Sequence, residues 1–344
     1  ATEAVNGTAI AGGSVTRPTP TPSVPGNGNF PFPLPRSNNP GPQATASSAQ
    51  QIGVVDVNTV EKYNSASAAG TGMVLSSDGD ILTNNHVIDG ATSVTVTVVA
   101  TGKTYAATVV GTAPSRDIAV LHLVNASGLT TANLGNSDSV AVGDKVTGVG
   151  NAGGTGGAPS AAKGTVTALH RTITASDGGG SNSETLHDVI VTDAPIQSGD
   201  SGGPLYDSSD QVIGINTAAS TSGRSAGFAL PISKALAVAD EIKRGVETSS
   251  IHIGYPGFLG ITVAAAPSSG ALVAGVLQGG PAASAGISAG DVITRVGSTA
   301  IATSTQLRTA VSSHNPGSQV TITYTDPNTG RHTATVTLAT GPAD

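Results

Sequence analysis

The segment from Gly199 to Pro204 has the composition of a nucleophile turn, because it reads Gly-Asp-Ser-Gly-Gly-Pro. Flanking glycines let the backbone fold tightly enough to expose the Oγ of Ser201 and to aim the amides of Gly199 and Ser201 at one point. A tetrahedral oxyanion formed during acyl transfer is stabilised at such a point. In a chain with 46 glycines a Gly-x-Ser-x-Gly pattern is weak evidence alone. The turn therefore indicates acyl transfer only together with an activating base.

Two upstream residues have the types that this turn needs. His86 follows the end of a predicted strand at residues 81–83, and Asp117 stands directly before the apolar run Ile118–Leu121. A histidine beside a strand is often only a packed residue, and an aspartate at a strand entrance is often a turn former. Together, in the chain order His, Asp, Ser, they have the types of a general base, the carboxylate that orients it and a nucleophile.

Short strands must position these residues. From about residue 53, β-branched runs alternate with clusters of Gly, Asp, Asn and Ser, which indicates an antiparallel barrel or sandwich. One helix is predicted after the strands, with Ser233 as its N-cap and Gly245 near its C-cap. The predicted strands are Gly72–Leu75, Ser93–Val99, Thr104–Val110, Ile118–Val124, Lys145–Val149, Gly164–Leu169, Val189–Thr192, Val212–Asn216 and Gly227–Leu230.

A second strand-rich unit is predicted from Phe258 to about Leu338, after a connector at residues 248–257. It contains one predicted helix, Ser304 to His314, with Leu307 and Val311 on the same face.

The chain resembles the chymotrypsin-fold serine proteases, and within them the HtrA-type (Deg) branch, over roughly residues 60–340. Its layout is especially similar to secreted actinobacterial, mycobacterial PepA-like members with one protease domain and one PDZ domain. The resemblance implies a mostly β fold, with a trypsin-like double β-barrel at residues 53–247 and a small α+β PDZ domain at residues 248–340. The matching segments are Thr83–Val87, Asp117–Leu121, Leu134–Asp138, Val142–Asp144, Thr192–Ala194, Gly202–Leu205 and Gly214–Ala218.

The resemblance also implies roles for single residues. Ser201 is expected to be the nucleophile, His86 the general base and Asp117 the residue that orients the imidazole. The amides of Gly199 and Ser201 are expected to form the oxyanion hole. This chemistry needs no cofactor, and the seven histidines show no metal-ligand spacing.

Ile196 and Ala219 occupy positions that line the primary specificity pocket in HtrA relatives. Both are apolar, and Pro195 stands near the pocket base where trypsin-like enzymes carry an acid. We therefore expect cleavage after small or medium aliphatic residues. Asp200, where many HtrA members have Asn, is expected to bond local amides, because no start suited to pairing with a freshly cut N-terminus is evident.

The segment Gly257-Phe258-Leu259-Gly260-Ile261 resembles the carboxylate-binding loop of a PDZ domain. In that loop consecutive backbone amides capture a peptide C-terminus, and the following strand pairs with the peptide. Leu307 and Val311 are expected to wall the pocket for the last side chain. The alternative is a structural β-domain that binds nothing.

Composition narrows the partners and the cellular location. With 15 basic and 22 acidic residues the net charge is −7, so the chain has no basic field to hold nucleic acid. The absence of Cys excludes disulfides, thiolate metal sites and a cysteine nucleophile. The first residue is not Met and no basic-then-apolar leader follows, so we expect a mature fragment that has lost an export signal or anchor.

Nine of the 20 prolines fall in residues 1–50, which predicts a disordered spacer over residues 1–52. At about 3.1 Å per residue such a tether reaches on the order of 100 Å. It either holds a catalytic unit off a membrane or wall, or is a tolerated terminus without function. The protein is expected to be secreted or tethered to the outer face of the cell membrane in a bacterial envelope.

The function predicted is a serine endopeptidase that degrades unfolded or misfolded proteins and recognises C-terminal peptides through its PDZ domain. The main alternative is a chaperone or binding protein with a latent protease fold, and an esterase is a third hypothesis. A homotrimer, usual among HtrA proteases through N-terminal aromatic contacts, is left open beside a monomer, since residues 1–60 offer only Phe30 and Phe32.

Overall fold

The computed structural model of the chain describes residues 43–61, 66–176, 183–217, 226–265, 270–328 and 330–343. Two closed β-barrels and a smaller domain of strands and helices follow one another along the chain, which agrees with the predicted mostly β fold. Strand β1 (Ala44–Thr45) precedes the first barrel in the chain and pairs with the second barrel.

The first barrel has six antiparallel strands and closes on itself, since its last strand pairs with two others. The strands are β2 (Val54–Glu61), β3 (Ala66–Val74), β4 (Asp80–Thr83), β5 (Ser93–Val98), β6 (Lys103–Ala113) and β7 (Ile118–Leu123). The order is β6-β5-β2-β3-β4-β7, and β7 also pairs with β6. In β5 the valines Val94, Val96 and Val98 are buried, as alternation predicts for a strand with one face in a core. Helix α1 (Asn85–Ile88) follows β4.

The second barrel repeats this plan. Its strands are β8 (Lys145–Gly150), β9 (Ser160–Ser176), β10 (Ser183–Thr192), β11 (Pro204–Tyr206), β12 (Val212–Thr217) and β13 (Gly227–Pro231). The order is β9-β10-β13-β12-β11-β8, and the pairing of β8 with β9 closes the barrel. Apart from Tyr206 and Phe228, the buried hydrophobic side chains of this barrel are aliphatic, as expected for a chain poor in aromatic residues.

Residues 43–52 belong to this second barrel rather than to a spacer, which corrects the prediction for that part of residues 1–52. Ala44 pairs with Ala161 of β9, and Ala46 is 4% exposed. The hydroxyl of Tyr206 donates to the carbonyl of Gln50 at 3.1 Å. Residues 1–42 of the predicted spacer lie outside the described residues.

Helix α2 (Ile232–Lys243) follows the second barrel, as predicted, and buries one apolar face. Ser233 is not its N-cap, because Pro231 occupies that position and the Ser233 hydroxyl donates instead to Asp138 Oδ1 at 2.9 Å. The buried residues recur at helical spacing: Ile232, Ala235, Val238, Ala239 and Ile242.

The smaller domain follows strand β14 (His252–Ile253), which pairs with β6 of the first barrel. It contains β15 (Gly257–Phe258), β16 (Ile261–Ala265), β17 (Ala271–Val276), helix α3 (Pro281–Ser284), β18 (Val292–Val296), β19 (Thr299–Ala300), helix α4 (Ser304–Ser312), β20 (Gln319–Asp326), β21 (Gly330–Thr337) and β22 (Ala339–Thr340). The main sheet has the order β16-β17-β18-β20-β21, and β15 pairs with β22. Helix α4 buries Leu307 and Val311, as predicted, but ends two residues before His314.

The last described residues connect the smaller domain to the first barrel. The amide of Ala343 donates to the carbonyl of Ala91, and the amide of Gly90 donates to the carbonyl of Ala343, both at 2.8 Å. Ala343 is 2% exposed and packs into the core of the first barrel.

Candidate active site

His86 is held at the edge of the first barrel by its chain neighbours. Strand β4 ends at Thr83, and the short helix α1 buries Val87 and Ile88 so that the His86 side chain stays 22% exposed. The side-chain amide of Asn84 donates to the backbone carbonyl of Asp117 at 2.9 Å. This bond joins the two segments that carry the predicted base and its partner.

Asp117 lies directly beside the imidazole. Its two carboxylate oxygens are 2.9 and 3.0 Å from His86 Nδ1, and Oδ1 also accepts the backbone N–H of His86 at 3.0 Å. Asp117 is fully buried and adopts a left-handed conformation with φ 52° at the end of the 3-10 helix Pro114–Arg116. The hydroxyl of Thr217 donates to Oδ2 at 3.3 Å, a contact that the sequence alone did not predict.

Ser201 sits on a tight turn between the barrels. It is 5% exposed, and its carbonyl accepts the amide of Thr71 on β3 at 2.8 Å. The amide of Gly202 donates to the backbone carbonyl of Asn216 on β12 at 2.9 Å, which fixes the other side of the turn. Ser201 and His86 line the same cavity of about 850 Å³. The structure therefore brings together His86 and Asp117 of the first barrel with Ser201 of the second.

The orientation of the Gly199 and Ser201 amides follows from the carbonyls that precede them. In a trans peptide the N–H points away from the carbonyl of the preceding residue. Ser198 O accepts the amide of Gly153 at 2.8 Å, and Asp200 O accepts the amide of Gly203 at 3.0 Å. In both peptides the carbonyl is hydrogen-bonded on one side, and the N–H points to the other side. These two N–H groups are the ones predicted to form the oxyanion hole.

Asp200 finds local hydrogen-bond donors, as predicted. Its Oδ2 accepts the amide of Gln197 at 2.9 Å and its Oδ1 accepts the hydroxyl of Ser160 at 3.1 Å. Burial raises the pKa of this carboxyl, and the donors act in the opposite direction. Gln43 lies nearby, with its side-chain amide donating to the carbonyl of Pro195 at 2.5 Å.

Of the two residues predicted for the specificity pocket, one can be placed. The Ile196 side chain lies against Gly148 of β8 and Gly227 of β13, where added Cβ atoms would be 3.1 and 2.8 Å from its carbon atoms. Ala219 lies outside the described residues.

The predicted carboxylate-binding loop spans β15 and the start of β16. The amide of Gly257 donates to the carbonyl of His314 at 2.7 Å, so this N–H is already used inside the domain. Gly260 has φ 75°, and its carbonyl accepts the amide of Leu277 at 2.8 Å. Phe258, Leu259, Gly260 and Ile261 line the cavity that also contains His86 and Ser201, together with Leu307 and Val311 of α4.

The first barrel holds a buried carboxylate that the sequence analysis did not single out. Asp56 of β2 is 4% exposed, and its Oδ1 has no hydrogen-bond partner. Burial raises the pKa of Asp56 to about 6, and a hydrogen bond from the backbone of Gly157 acts in the opposite direction. Asp56 pairs across the sheet with Thr71.

Replacement of Asp56 by asparagine is expected to stabilise the protein above pH 6. A carboxyl whose pKa is raised on folding from 3.8 to about 6 favours the folded state below pH 4, and this contribution is lost as pH rises through 6. Asp56→Asn should therefore raise the free energy of unfolding by about 3 kcal/mol at pH 8 and by less than about 1 kcal/mol at pH 4. Thermal melts of both proteins between pH 4 and 8 measure the difference. An equal gain at every pH contradicts this explanation.

The described residues hold no cluster of three His, Cys, Asp or Glu side chains suited to a metal ion. Within the same part of the chain, no helix combines the length and apolar character that a membrane span requires.

Sequence comparison identifies both folded parts. The family model described as a trypsin-like peptidase domain matches residues 70–215, and the PDZ domain model matches residues 257–338. Fold and site therefore define a trypsin-like peptidase domain joined to one PDZ domain.

Known relatives narrow this class. The chain is 35% identical over 290 residues to "Serine protease PepD" of Mycobacterium tuberculosis, which covers 79% of this chain and 61% of that protein. It is 34% identical over 263 residues to "Periplasmic pH-dependent serine endoprotease DegQ" of Escherichia coli, covering 73% and 55%. The structure of the HtrA-type protease AlgW with a tripeptide matches with a TM-score of 0.51 and 31% identity, covering 86% of this chain and 96% of that one. The chain belongs to the HtrA-type serine proteases.

The chain spans only about 53–61% of the length of the first curated relatives that it matches. Curated relatives from Brucella are named probable periplasmic serine endoproteases, and the one from Escherichia coli is named a periplasmic serine endoprotease.

Proposed function

We propose that this protein is a serine endopeptidase that cleaves unfolded or misfolded proteins with Ser201, His86 and Asp117. The observation that carries the proposal is the buried Asp117 carboxylate at 2.9 Å from His86 Nδ1, with His86 and Ser201 on the wall of one cavity. A bare serine is a weak nucleophile at neutral pH, so a positioned base is required.

Each group has a distinct task in this mechanism. His86 takes the hydroxyl proton as Ser201 attacks the scissile carbonyl, and later gives it to the leaving amine. Asp117 keeps the proton of the neutral imidazole on Nδ1 and stabilises the imidazolium that forms. The amides of Gly199 and Ser201 stabilise the oxyanion, a contribution of about 10²–10³-fold for each donor. Water then hydrolyses the acyl-enzyme by the same route.

Labelling with a fluorophosphonate tests the proposal. The probe is expected to modify Ser201 in the native protein, and His86→Ala should abolish labelling together with cleavage of denatured casein. His122→Ala is a matched control, because His122 Nδ1 lies 3.0 Å from Asp80 Oδ1 in a similar pair that does not line the cavity. It should label normally. No labelling of the native protein would support the chaperone alternative, and labelling without casein cleavage would support the esterase alternative.

Ile196 and Ala219 are proposed to favour small or medium aliphatic residues before the cleaved bond. The side chain of Ile196 supports this proposal, because it is apolar and lies against both Gly148 and Gly227. A library of peptides that differ in this one residue measures the preference, and preferred cleavage after Lys or Arg contradicts it.

The PDZ domain is proposed to bind peptide C-termini through residues Gly257–Ile261. Support comes from the left-handed backbone of Gly260, with φ 75°, and from the apolar Leu307 and Val311, which line the same cavity as the loop. Because Gly257 N–H is engaged by His314, the carboxylate should be held by the following amides of the loop. A peptide with a free C-terminus should bind measurably in fluorescence anisotropy, and the same peptide with a C-terminal amide should not.

We place this activity in protein quality control in the bacterial envelope, either secreted or tethered to the outer face of the cell membrane. The periplasmic names of the relatives support that location. Fractionation of the native host cell distinguishes the secreted from the tethered form. Sedimentation at two concentrations distinguishes a homotrimer from a monomer.

A further inference from the structure

Thr71 lies between the two barrels and forms hydrogen bonds with residues of both. It lies on β3 in the first barrel, pairs with Asp56 across the sheet and is fully buried. Its backbone amide donates to Ser201 O at 2.8 Å, and its backbone carbonyl accepts the hydroxyl of Thr83 at 2.7 Å. These main-chain bonds could be made by any residue except proline.

The side-chain hydroxyl of Thr71 makes two further bonds that most residues could not make. Oγ1 donates to the carbonyl of Gly199 at 2.7 Å and accepts the backbone N–H of Asn151 at 2.9 Å. A hydroxyl is the smallest group that can donate and accept at once. Both partners belong to the second barrel and are 128 and 80 positions away in the chain.

Both bonds constrain the proposed oxyanion hole, one through Gly199 and the other through the segment that begins at Asn151. The Gly199–Asp200 peptide lies between the two peptides whose N–H groups, those of Gly199 and Ser201, are proposed to form the oxyanion hole. The bond to Gly199 O therefore limits rotation between those two N–H groups. The bond from Asn151 fixes the start of the 3-10 helix Ala152–Gly154, whose Gly153 amide holds Ser198 O at 2.8 Å. That second contact sets the direction of the Gly199 N–H.

We infer that the hydroxyl of Thr71 positions the oxyanion hole by holding the Gly199 carbonyl and the Asn151 amide together. Thr71 is a positioning residue, since it acts through the Gly199 and Ser201 amides. The inference rests on the proposed endopeptidase function. It assigns a residue of the first barrel to the support of the oxyanion hole, whose amides belong to the second barrel. Preorganised donors contribute to catalysis only when their geometry is fixed before the reaction.

The test compares Thr71→Val with Thr71→Ser. Valine replaces Oγ1 by a methyl group of similar size, so both hydrogen bonds are lost. Serine keeps the hydroxyl and loses only the Cγ2 methyl, which lies beside Gly203, where an added Cβ would be 2.9 Å away. We expect Thr71→Val to lower kcat about 10- to 50-fold with KM changed less than threefold. Thr71→Ser should keep more than half of kcat, even if its Tm falls.

A transition-state analogue separates positioning from general destabilisation. A peptide boronate forms a tetrahedral adduct with Ser201, and its affinity should fall in Thr71→Val by about the same factor as kcat/KM. The product peptide that carries the new amine has no oxygen in the oxyanion hole, so it should bind equally to all variants. Measurements well below the Tm of each variant keep unfolding out of the comparison.

The outcomes distinguish this inference from the proposed function. If the native protein labels with fluorophosphonate but Thr71→Val retains its kcat and boronate affinity, the role of Thr71 is wrong and the endopeptidase proposal stands. Equal losses in Thr71→Val and Thr71→Ser also overturn the role of the hydroxyl. A native protein that fails to label or to cleave overturns the proposed function itself.

Discussion

Replacing Asp117 by asparagine is expected to lower kcat by about 10⁴-fold while the protein stays folded. A carboxylate beside Nδ1 favours the tautomer of His86 with its proton on Nδ1, so that Nε2 is the nitrogen proposed to take the Ser201 proton. An asparagine can turn its NH₂ group towards Nδ1 and so favour the tautomer with the proton on Nε2, which cannot act as a base. Steady-state cleavage of a peptide substrate measures kcat, and circular dichroism measures Tm.

Asparagine is the informative substitution because of the backbone at this position. Asp117 has φ 52°, a conformation that asparagine tolerates better than alanine does. Asp80→Asn serves as a control, since it alters the similar pair with His122 outside the cavity and should leave kcat unchanged. A D117N protein that retains a tenth of the native kcat contradicts the role assigned to Asp117.

Replacing Gly199 by alanine is expected to lower kcat/KM by 10³-fold or more, on the order of one oxyanion donor lost plus distortion of its neighbour. Gly199 has φ 94°, and a Cβ added there would lie 2.1 Å from the carbonyl oxygen of Asn151. Backbone atoms cannot yield as the end of a flexible side chain can. The turn must therefore move and take the Gly199 N–H away from the substrate oxyanion. The rate of fluorophosphonate labelling reports the loss directly.

Gly102→Ala is the matched control for this variant. Gly102 also has a left-handed φ, 67°, but nothing lies within 4 Å of the added Cβ in the turn between β5 and β6. Its substitution costs about 1 kcal/mol of backbone strain and should not change the labelling rate. Similar loss of labelling in both variants would show that strain, rather than the collision with Asn151, explains the effect.

The sequence alone was sufficient for the fold class, and it was sufficient to choose three candidate triad residues for which the structure could be searched. His86, Asp117 and Ser201 could be selected because a triad needs specific types in a recognisable order, and the structure places them together. The barrels followed from β-branched alternation, as in β5, where every second residue is buried. Each of these signals lies within a short segment of the chain, so it can be recognised without knowing which segments meet in the fold.

Residues that act through distant contacts left little trace in the sequence. Thr217 donates to Asp117 from 100 positions away, and Thr71 reaches Gly199 across both barrels. Threonines are abundant in this chain, and nothing in their own segments separates these two from the rest. Thr217 stood within a segment that matched the family, while Asp56 interrupts the apolar run Val54–Val57. Those were the available signals for a hydroxyl near the triad and for a buried acid.

The packing of residues 43–52 could not be predicted for a related reason. Their polar composition resembles that of the preceding Pro-rich segment, and they enter the fold through main-chain pairing and a few contacts such as Tyr206 with Gln50. Main-chain pairing leaves no mark in side-chain composition.

The shared cavity has a kinetic consequence. The proposed hydrolysis at Ser201 would create each new free carboxylate within the space that the loop Phe258–Ile261 also lines. In an endopeptidase built in this way, the product would be released at a high local concentration beside the loop that is proposed to bind C-termini. Rebinding can keep a long substrate in place for a second cut, while short products accumulate as competitors. Progress curves should therefore slow with extent of digestion rather than with time alone.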